Sequence, residues 1–322
     1  MKPLRFIPIL KSLIWGGDKI ASYKGLETTQ RNIGESWEIS GLRGDESVVA
    51  EGEYAGLRLP ELIDRLKGAL VGEAVYRRHG NEFPLLAKFI DARQDLSIQV
   101  HPNDRLAQAR HGKNGKTEMW YVVGADEGAH LKVGFSRVLT PQEYERRIAD
   151  NTLTDVLCDY PVRPGDSIFL PAGRVHTICA GTFIAEIQQT SDLTYRIYDY
   201  GRKGPDGNPR ELHTELAKEA IDYTVSADYR TRYRAIKNRE TVLAACPYFT
   251  TSLYDLTQPV EKDLSDLDSF LIVIGIEGAG TLRDDEGNEL AIGQGQTLLV
   301  PASTRRIRFT PNRSLKFLTS RL

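Results

Sequence analysis

Two histidines, a carboxylate and an amide stand near the ends of predicted strands, and their side chains are types that bind a divalent metal ion. In SIQVHPND (97–104), Gln99 and His101 are two residues apart and therefore share one face of a strand, which should end at the following proline. Glu118 and His176 stand at the starts of other predicted strands. Nitrogen and oxygen donors suit zinc, and a catalytic site keeps one position open. From the residues alone, a metal site and a merely hydrogen-bonded strand end both stay open.

The elements that must position these residues are mostly strands. Short β-branched or aromatic runs end at Gly, Pro, Asn or Asp, as in MWYVVGADEG, SIFLPAG and TYRIYDYG. Many short strands with regular turn signals predict an all-β sandwich or barrel. Helical spacing occurs at 59–72 and 213–223, and Thr140 followed by Pro141 predicts the N-cap and first residue of a third helix.

A short internal repeat predicts two copies of one β-barrel module. Residues 165–178 read GDSIFLPAGRVHTI, and residues 295–308 read GQTLLVPASTRRIR. In this alignment His176 corresponds to Arg306, and Glu118 corresponds to Ser269.

No histidine follows His213, so imidazoles can bind a metal in the first module only. We therefore predict a metal-binding catalytic domain with helical segments over 1–240, and a β domain without metal ligands over 241–322.

Composition and charge exclude several classes of partner. The net charge of the 322-residue chain is −2, and its Lys and Arg residues form no basic block, so we expect no binding to nucleic acid or to an anionic membrane. The 3 cysteines include no CxxC pair, which favours a reducing compartment. No apolar run is long enough for a signal peptide or a membrane span, so we predict a cytoplasmic protein.

Several segments together resemble the type I mannose-6-phosphate isomerases, which are metal-dependent cupins. The segments are SIQVHP, KTEMWYVV, PAGRVHTI, GESWEIS, PLLAKFIDA and QQTSDLTYRIYDYGR. The resemblance extends from about Leu4 to His213 and continues more weakly beyond. It implies tandem cupin modules, which are jelly-roll β-barrels, with few helices, in the short bacterial form of the family. It also implies that the substrate is a sugar phosphate, and that mannose 6-phosphate and fructose 6-phosphate are interconverted through an enediol-like intermediate.

The same resemblance assigns roles to individual residues. One divalent metal ion, with zinc as the first choice, would be held by residues that match the family's ligands: Gln99, His101, Glu118 and His176. The residues that match substrate-binding positions are Ser97, Lys88 and Lys116, although the sequence pattern alone would make each lysine a surface charge. Arg196 matches the active-site arginine and would stabilise the enediolate or contact the phosphate. By pattern alone, Arg196 would instead be interpreted as an arginine at a strand edge that extends to solvent.

Some questions stay open in the sequence. The proton-transfer base could be Glu186, Asp192, Lys116 or a metal-bound water. Glu35 and Trp37 share a strand face and are interpreted as structural. Two histidines and a carboxylate also form the facial triad of iron oxygenases, so a cupin metalloenzyme of other chemistry is an alternative, as is a sugar-phosphate-binding protein without catalysis. Either a monomer or a homodimer is compatible with the sequence.

Overall fold

The computed structural model describes residues 1–204 and 207–322, and within these ranges the chain is built from antiparallel strands with a few short helices. The strands of the N-terminal part are β1 (Phe6–Ile7), β2 (Ile9–Gly17), β3 (Ile33–Ile39), β4 (Val48–Val49), β5 (Leu85–Asp91), β6 (Ile98–Val100), β7 (Glu118–Ala125), β8 (His130–Phe135), β9 (Leu157–Pro161), β10 (Ser167–Leu170), β11 (His176–Ile178), β12 (Thr182–Gln189) and β13 (Tyr195–Tyr198). The strands of the C-terminal part are β14 (Thr241–Ala245), β15 (Thr250–Leu256), β16 (Val260–Asp263), β17 (Leu271–Asp284), β18 (Glu289–Gly293), β19 (Thr297–Val300) and β20 (Arg306–Arg321).

The helices are short and lie mainly in the connections of the N-terminal part. They are α1 (Lys19–Lys24), α2 (Leu59–Leu66), α3 (Gly68–Val71), α4 (Glu73–His79), α5 (Asp104–His111), α6 (Pro141–Ala149) and α7 (Thr214–Ala220). A 3₁₀ turn covers Leu153–Val156. None of the helices in the described ranges is long and apolar enough to cross a membrane.

Two sheets face each other to form what we call the first barrel. The six-stranded sheet has the order β10-β7-β12-β5-β3-β2, and the five-stranded sheet has the order β13-β6-β11-β8-β9. Trp120 and Ile184 of the larger sheet pack with Leu131, Val133 and Ile178 of the smaller sheet, so this part of the interior is apolar. The polar residues described below lie on the same inward faces.

The C-terminal strands form the second barrel from one continuous sheet. Its two longest strands, β17 and β20, pair along most of their lengths, and β17 pairs with β19 through Leu271–Ile274 and with β18 through Ala279–Arg283. The outward face of the first barrel's larger sheet packs against this barrel, because Phe89 and Phe183 share one apolar core with Ile272. The two barrels therefore bury a common interface.

The all-β prediction is confirmed, and the helix predictions are confirmed in part. Thr140 caps α6, since its hydroxyl accepts from the backbone N–H of Glu143 at 3.1 Å. The helix expected at 59–72 is divided into α2 and α3, because Lys67 between them has a φ of 50° that no α-helix contains. The helix expected at 213–223 is shorter and is α7.

The strand register corrects one correspondence between the two copies. Leu170 pairs with Glu118 across β10 and β7, and Val300, which matches Leu170 in the repeat, pairs with Leu271 across β19 and β17. Leu271 therefore occupies the place of Glu118, and the match to Ser269 was wrong by two residues. The alignment relied on the glycines that close the two strands, and these glycines do not occupy equivalent positions.

Candidate metal centre and active-site cavity

His101, Glu118 and His176 come together at one end of the first barrel. Glu118 opens β7, His176 opens β11, and His101 directly follows β6, so both sheets contribute to the cluster. All three side chains are buried, and their ligand atoms lie within 4.8 Å of one another. His176 Nε2 is 3.2 Å from Glu118 Oε1, and His101 Nε2 is 3.5 Å from Glu118 Oε2. Three residues that are far apart in the sequence thus lie close together in the fold.

Backbone carbonyls orient both imidazoles. Nδ1 of His101 donates to the carbonyl of Leu193 at 2.8 Å, and Nδ1 of His176 donates to the carbonyl of Arg174 at 2.8 Å. A carbonyl only accepts, so each neutral ring carries its proton on Nδ1 and presents the lone pair of Nε2 to Glu118. Burial lowers the pKa of His101 well below its ordinary value and lowers that of His176 to about 4. Both rings are therefore neutral, as a metal ligand must be.

Glu118 has few partners for a fully buried carboxylate. Neither of its oxygens has a hydrogen bond of ordinary geometry in the described part of the chain. The nearest cation is Lys116, whose Nζ lies 3.0 Å from Oε2 and 3.1 Å from His101 Nε2. Burial and the neighbouring Glu186 raise the pKa of Glu118 to about 7. Two imidazole lone pairs and a carboxylate that face one another repel unless positive charge lies between them, so the residues fit a divalent cation.

Gln99 lies beside this cluster. It pairs with His176 across β6 and β11, and its Nε2 is 3.3 Å from His176 Nε2. In this orientation the amide donates to the imidazole. The same side chain can coordinate a metal after the amide rotates to present its oxygen.

Arg196 lies in the same cross-strand row of the five-stranded sheet as His176 and Gln99. It pairs with Gln99 across β13 and β6, on the side opposite His176. Its backbone N–H donates to Nδ1 of His213 at 3.1 Å, and its Nη1 donates to the carbonyl of Glu211 at 3.0 Å. Its Nε is buried without a hydrogen-bond partner among the residues that the structure describes. The guanidinium therefore keeps an unused N–H donor close to the cluster.

A second row of polar residues crosses the six-stranded sheet next to Glu118. The register aligns Trp120, Glu186, Lys88 and Trp37 on β7, β12, β5 and β3. Glu186 accepts from the indole N–H of Trp120 at 2.6 Å and pairs with Lys88 at 2.9 Å. Burial disfavours the Lys88 ammonium, but Glu186 and Glu35 outweigh this effect and raise the pKa of Lys88. Lys88 is thus a buried cation rather than the surface charge that its sequence pattern suggested.

A cavity of about 370 Å³ adjoins the cluster. Every non-ligand residue predicted for substrate binding or catalysis lines it, together with one predicted ligand: Lys88, Ser97, Gln99, Lys116 and Arg196. Ile98 and Val100, which alternate with Ser97 and Gln99, belong to the apolar core on the other face of the smaller sheet. The predicted alternation of β6 is therefore what the structure shows.

Three of the candidate bases also lie at this cavity. Glu186, Lys116 and Asp192 all line it. Asp192 is half exposed and pairs with Lys113 at 2.8 Å, at the side of the cavity where a wider cleft of about 780 Å³ begins. All three therefore lie where a proton-transfer group is needed.

Several further residues of the cavity were missed or set aside in the sequence. Glu35 and Trp37 line it, although their pattern was interpreted as structural, and Glu35 accepts from the indole of Trp37 at 2.6 Å. Their shared strand face was the available signal. Arg210 and His213 also line the cavity, and no local signal marked them because they follow the last strand of the first barrel.

Comparison with protein families identifies two matching regions. Residues 4–123 match the catalytic domain of type I phosphomannose isomerases, and residues 238–315 match the cupin domain of mannose-6-phosphate isomerases. The first match includes Gln99, His101 and Glu118, and the second covers most of the second barrel.

Individual relatives agree over nearly the whole chain. The chain is 35% identical to mannose-6-phosphate isomerase ManA of Bacillus subtilis over 288 residues, which is 88% of this chain and 89% of the relative. It is 32% identical to mannose-6-phosphate isomerase of Streptococcus mutans over 309 residues, which is 96% of this chain and 95% of the relative. The crystal structure of a B. subtilis mannose 6-phosphate isomerase superposes with a TM-score of 0.89 and 30% identity, and the match covers 100% of both chains.

Proposed function

The chain belongs to the type I phosphomannose isomerase family, and from this premise we propose that His101, Glu118 and His176 hold the divalent cation on which this family depends. The protein is a tandem cupin and an aldose–ketose isomerase that interconverts mannose 6-phosphate and fructose 6-phosphate. The observation that carries the metal assignment is the convergence of two oriented Nε2 lone pairs on a buried carboxylate that has no hydrogen bond of ordinary geometry to any described residue.

Zinc is the proposed ion, with Gln99 as a fourth ligand. Imidazole nitrogen and carboxylate oxygen are donors that zinc accepts in catalytic sites with an open position. When bound, the cation would supply positive charge to the two neighbouring oxygens of the sugar as the proton moves between C2 and C1. Cobalt and manganese accept similar donors, so a metal-exchange series with activity and affinity measured for each ion tests the choice of zinc.

The residues of the cavity are proposed to hold the substrate around that ion. Arg196 directs its free N–H donor at the developing enediolate or at the phosphate, where preorganised positive charge lowers the barrier. Lys88 and Lys116 add two buried ammonium groups, and Ser97 adds a buried hydroxyl. Together with Arg196, these two lysines provide positive charge that suits a dianionic sugar phosphate.

The proton-transfer group is proposed to be among Glu186, Asp192 and Lys116, or a metal-bound water. Lys88 and Lys116 oppose the effect of burial on Glu186 and lower its pKa, which keeps that carboxylate able to accept a proton. Glu186→Gln and Asp192→Asn, compared by exchange of the C2 hydrogen with solvent, separate the two carboxylates. The variant that stops exchange while substrate still binds identifies the base.

Other assignments rest on the sequence. They are the division into a catalytic domain at 1–240 and a β domain at 241–322, a cytoplasmic location, a monomer or homodimer, and the absence of nucleic-acid and membrane partners.

A coupled assay tests the proposed site and ion. Mannose 6-phosphate is supplied, fructose 6-phosphate formation is followed, and the protein is assayed before chelation, after chelation and after zinc is restored. Turnover that chelation removes and zinc restores is the expected result. Turnover that persists in fully metal-free protein would contradict the metal assignment. Activity that requires iron and oxygen would instead support the oxygenase alternative, and binding of hexose phosphate without conversion would support a binding protein.

A further inference from the structure

The carboxylate of Asp104 joins three separate parts of the molecule. Asp104 is the first residue of α5, and its Oδ1 accepts from the backbone N–H of Gly115 at 2.9 Å and from Nε2 of Gln189 at 3.0 Å. Its Oδ2 accepts from the hydroxyl of Tyr248 at 2.8 Å. Tyr248 belongs to the second barrel, between β14 and β15. A hydroxyl of the second barrel therefore binds the residue that holds the start of the 115–118 segment.

Gln189 continues this network to the next residues of the segment. Its side-chain Oε1 accepts from the backbone N–H of Thr117 at 2.8 Å, and its backbone N–H donates to the carbonyl of Thr117 at 3.1 Å. The N–H of Lys116 donates to the carbonyl of Pro102 at 3.2 Å. The backbone is thus held at each of three consecutive residues immediately before Glu118.

Close packing at Gly115 makes this attachment rigid. A Cβ on Gly115 would lie 2.5 Å from the backbone nitrogen of Asp104, so the segment lies directly against the start of α5. Burial opposes the charge of Asp104, but the hydrogen bonds from Tyr248 and Gln189 lower its pKa. The acceptor is therefore ionised at neutral pH, and hydrogen bonds to a charged acceptor are the stronger kind.

We propose that Asp104 and Tyr248 are positioning residues for the isomerisation. They hold the backbone of 115–118 so that the Lys116 ammonium and the Glu118 carboxylate keep their places in the metal cluster. This inference rests on the proposed function of those two side chains. It also gives the second barrel, which has no metal ligands, a part in the reaction.

The effect on turnover follows from the geometry of the reaction. A displacement of about 1 Å in a catalytic group lowers rates by as much as about 100-fold, and loss of one anchoring hydrogen bond allows a fraction of that movement. We expect Asp104→Ala to lower kcat about tenfold and Tyr248→Phe to lower it about threefold. Metal affinity should weaken in the same order, because Glu118 is displaced in both variants.

The experiment compares four variants by kcat, KM, thermal midpoint and zinc affinity measured by competition with a chromophoric chelator. They are Tyr248→Phe, Asp104→Ala, Asp104→Asn and the double variant Tyr248→Phe/Asp104→Ala. Asp104→Asn keeps an oxygen that can accept from Gly115, so its kcat should lie between those of Asp104→Ala and wild type. The double variant should match Asp104→Ala alone, because the hydroxyl acts through the carboxylate.

Tyr254→Phe is the matched control. Tyr254 is a buried tyrosine of the second barrel whose hydroxyl accepts from Lys262 at 3.0 Å, in an apolar core separate from the one that contains Trp120 of β7. It should lose some stability and keep wild-type kcat and zinc affinity. If Tyr248→Phe likewise keeps both values, the inference is overturned and the hydrogen bond serves stability alone. Wild-type turnover in the same assay tests the proposed function separately, and the zinc affinities of the variants test the positioning whatever that turnover is.

Discussion

The two barrels share one architecture but place chemically different residues at equivalent positions. Glu118 in β7 and Leu271 in β17 occupy corresponding places in the strand register. The first is a buried carboxylate that faces two imidazoles, whereas the second is packed among apolar residues. The interior of the second barrel is filled with side chains such as Tyr254 and Phe317, whose rings stack 4.9 Å apart. The first barrel keeps polar side chains and a cavity at the same end.

This difference supports the proposal that the active site lies in the first barrel. Both barrels satisfy the requirements of a β-barrel fold, so the fold itself does not determine chemistry. A dry interior needs no compensation, but a buried carboxylate is stable only beside cations and hydrogen-bond donors. The first barrel has such neighbours in Lys116, which lies beside Glu118, and in Lys88, which pairs with Glu186. These contrasts support the proposal that the activity depends on a small group of first-barrel side chains, of which Glu118 has the apolar Leu271 as its counterpart in the second barrel.

The largest expected effect is that of His176→Ala. His176 opens β11 and is buried in the cluster, whereas Arg306, its counterpart in the repeat, opens β20 and is exposed. Loss of one of three close ligands should remove the metal and lower turnover about 1,000-fold or more. Metal content and turnover are measured on the same preparation.

Arg306→Ala is the control in the second barrel, where metal content and turnover should both stay at wild-type levels. A His176→Ala protein that is active without metal would show that the assigned site is wrong. Loss of activity in a folded Arg306→Ala protein would place the active site in the other barrel.

Leu271→Glu places a carboxylate in the apolar interior of the second barrel, at the position equivalent to Glu118. Leu271 is 1% exposed and packs in an apolar cluster with residues such as Val273 and Val300. An uncompensated buried charge should destabilise the protein by about 3–5 kcal/mol, measured by urea unfolding. Leu271→Met, which conserves volume, should cost less than about 1.5 kcal/mol. Equal stability of the two variants would mean that the second barrel admits water or a counter-ion.

Local features of the structure were predictable from the sequence. The all-β class followed from short strands between turn residues, and the Thr140 cap followed from a four-residue motif. Gln99 and His101 were expected on one strand face because alternation is a property of the strand itself. The grouping of ligands from three strands came from the resemblance to a known family.

Features that depend on pairing between distant strands were not predictable. The Lys88–Glu186 ion pair joins residues on β5 and β12, and no local pattern indicates that register. The same limitation produced the incorrect match of Glu118 to Ser269, because register is set by tertiary packing. The break at Lys67 was also missed, since apolar spacing continues through it.

Arg196→Ala should separate metal binding from turnover in the first barrel. Arg196 lies on β13, two strands from His176 on β11, and its guanidinium donates to the carbonyl of Glu211, so the metal should remain. Loss of preorganised positive charge should lower kcat about 100- to 1,000-fold. The control is Arg308→Ala, an exposed arginine on β20 of the second barrel, which should be indistinguishable from wild type. Unchanged turnover in Arg196→Ala would remove this residue from the catalytic group.

Glu118→Gln should change the free energy of unfolding less than Leu271→Glu does. It should stabilise the metal-free protein but weaken zinc binding. Burial and Glu186 raise the pKa of Glu118 to about 7 in the folded, metal-free protein. Between the unfolded pKa of about 4.3 and pH 7, the folded state binds more protons than the unfolded state, so stability falls as pH rises. The amide avoids this loss and still offers an oxygen to Lys116.

Without metal, the free energy of unfolding of Glu118→Gln should therefore equal that of wild type near pH 4. At pH 8 it should exceed the wild-type value by about 1–3 kcal/mol, measured by urea unfolding. The same variant should bind zinc more weakly, because a neutral amide replaces the anionic ligand. The control is Glu261→Gln, which makes the same change at an exposed glutamate of β16. Gln188 is avoided as a control position because it lines the cavity. If Glu118→Gln were less stable than wild type at pH 8, the carboxylate would be stabilised by its own neighbours without a metal. The contrast between a functional first barrel and a merely stable second one would then not rest on this residue.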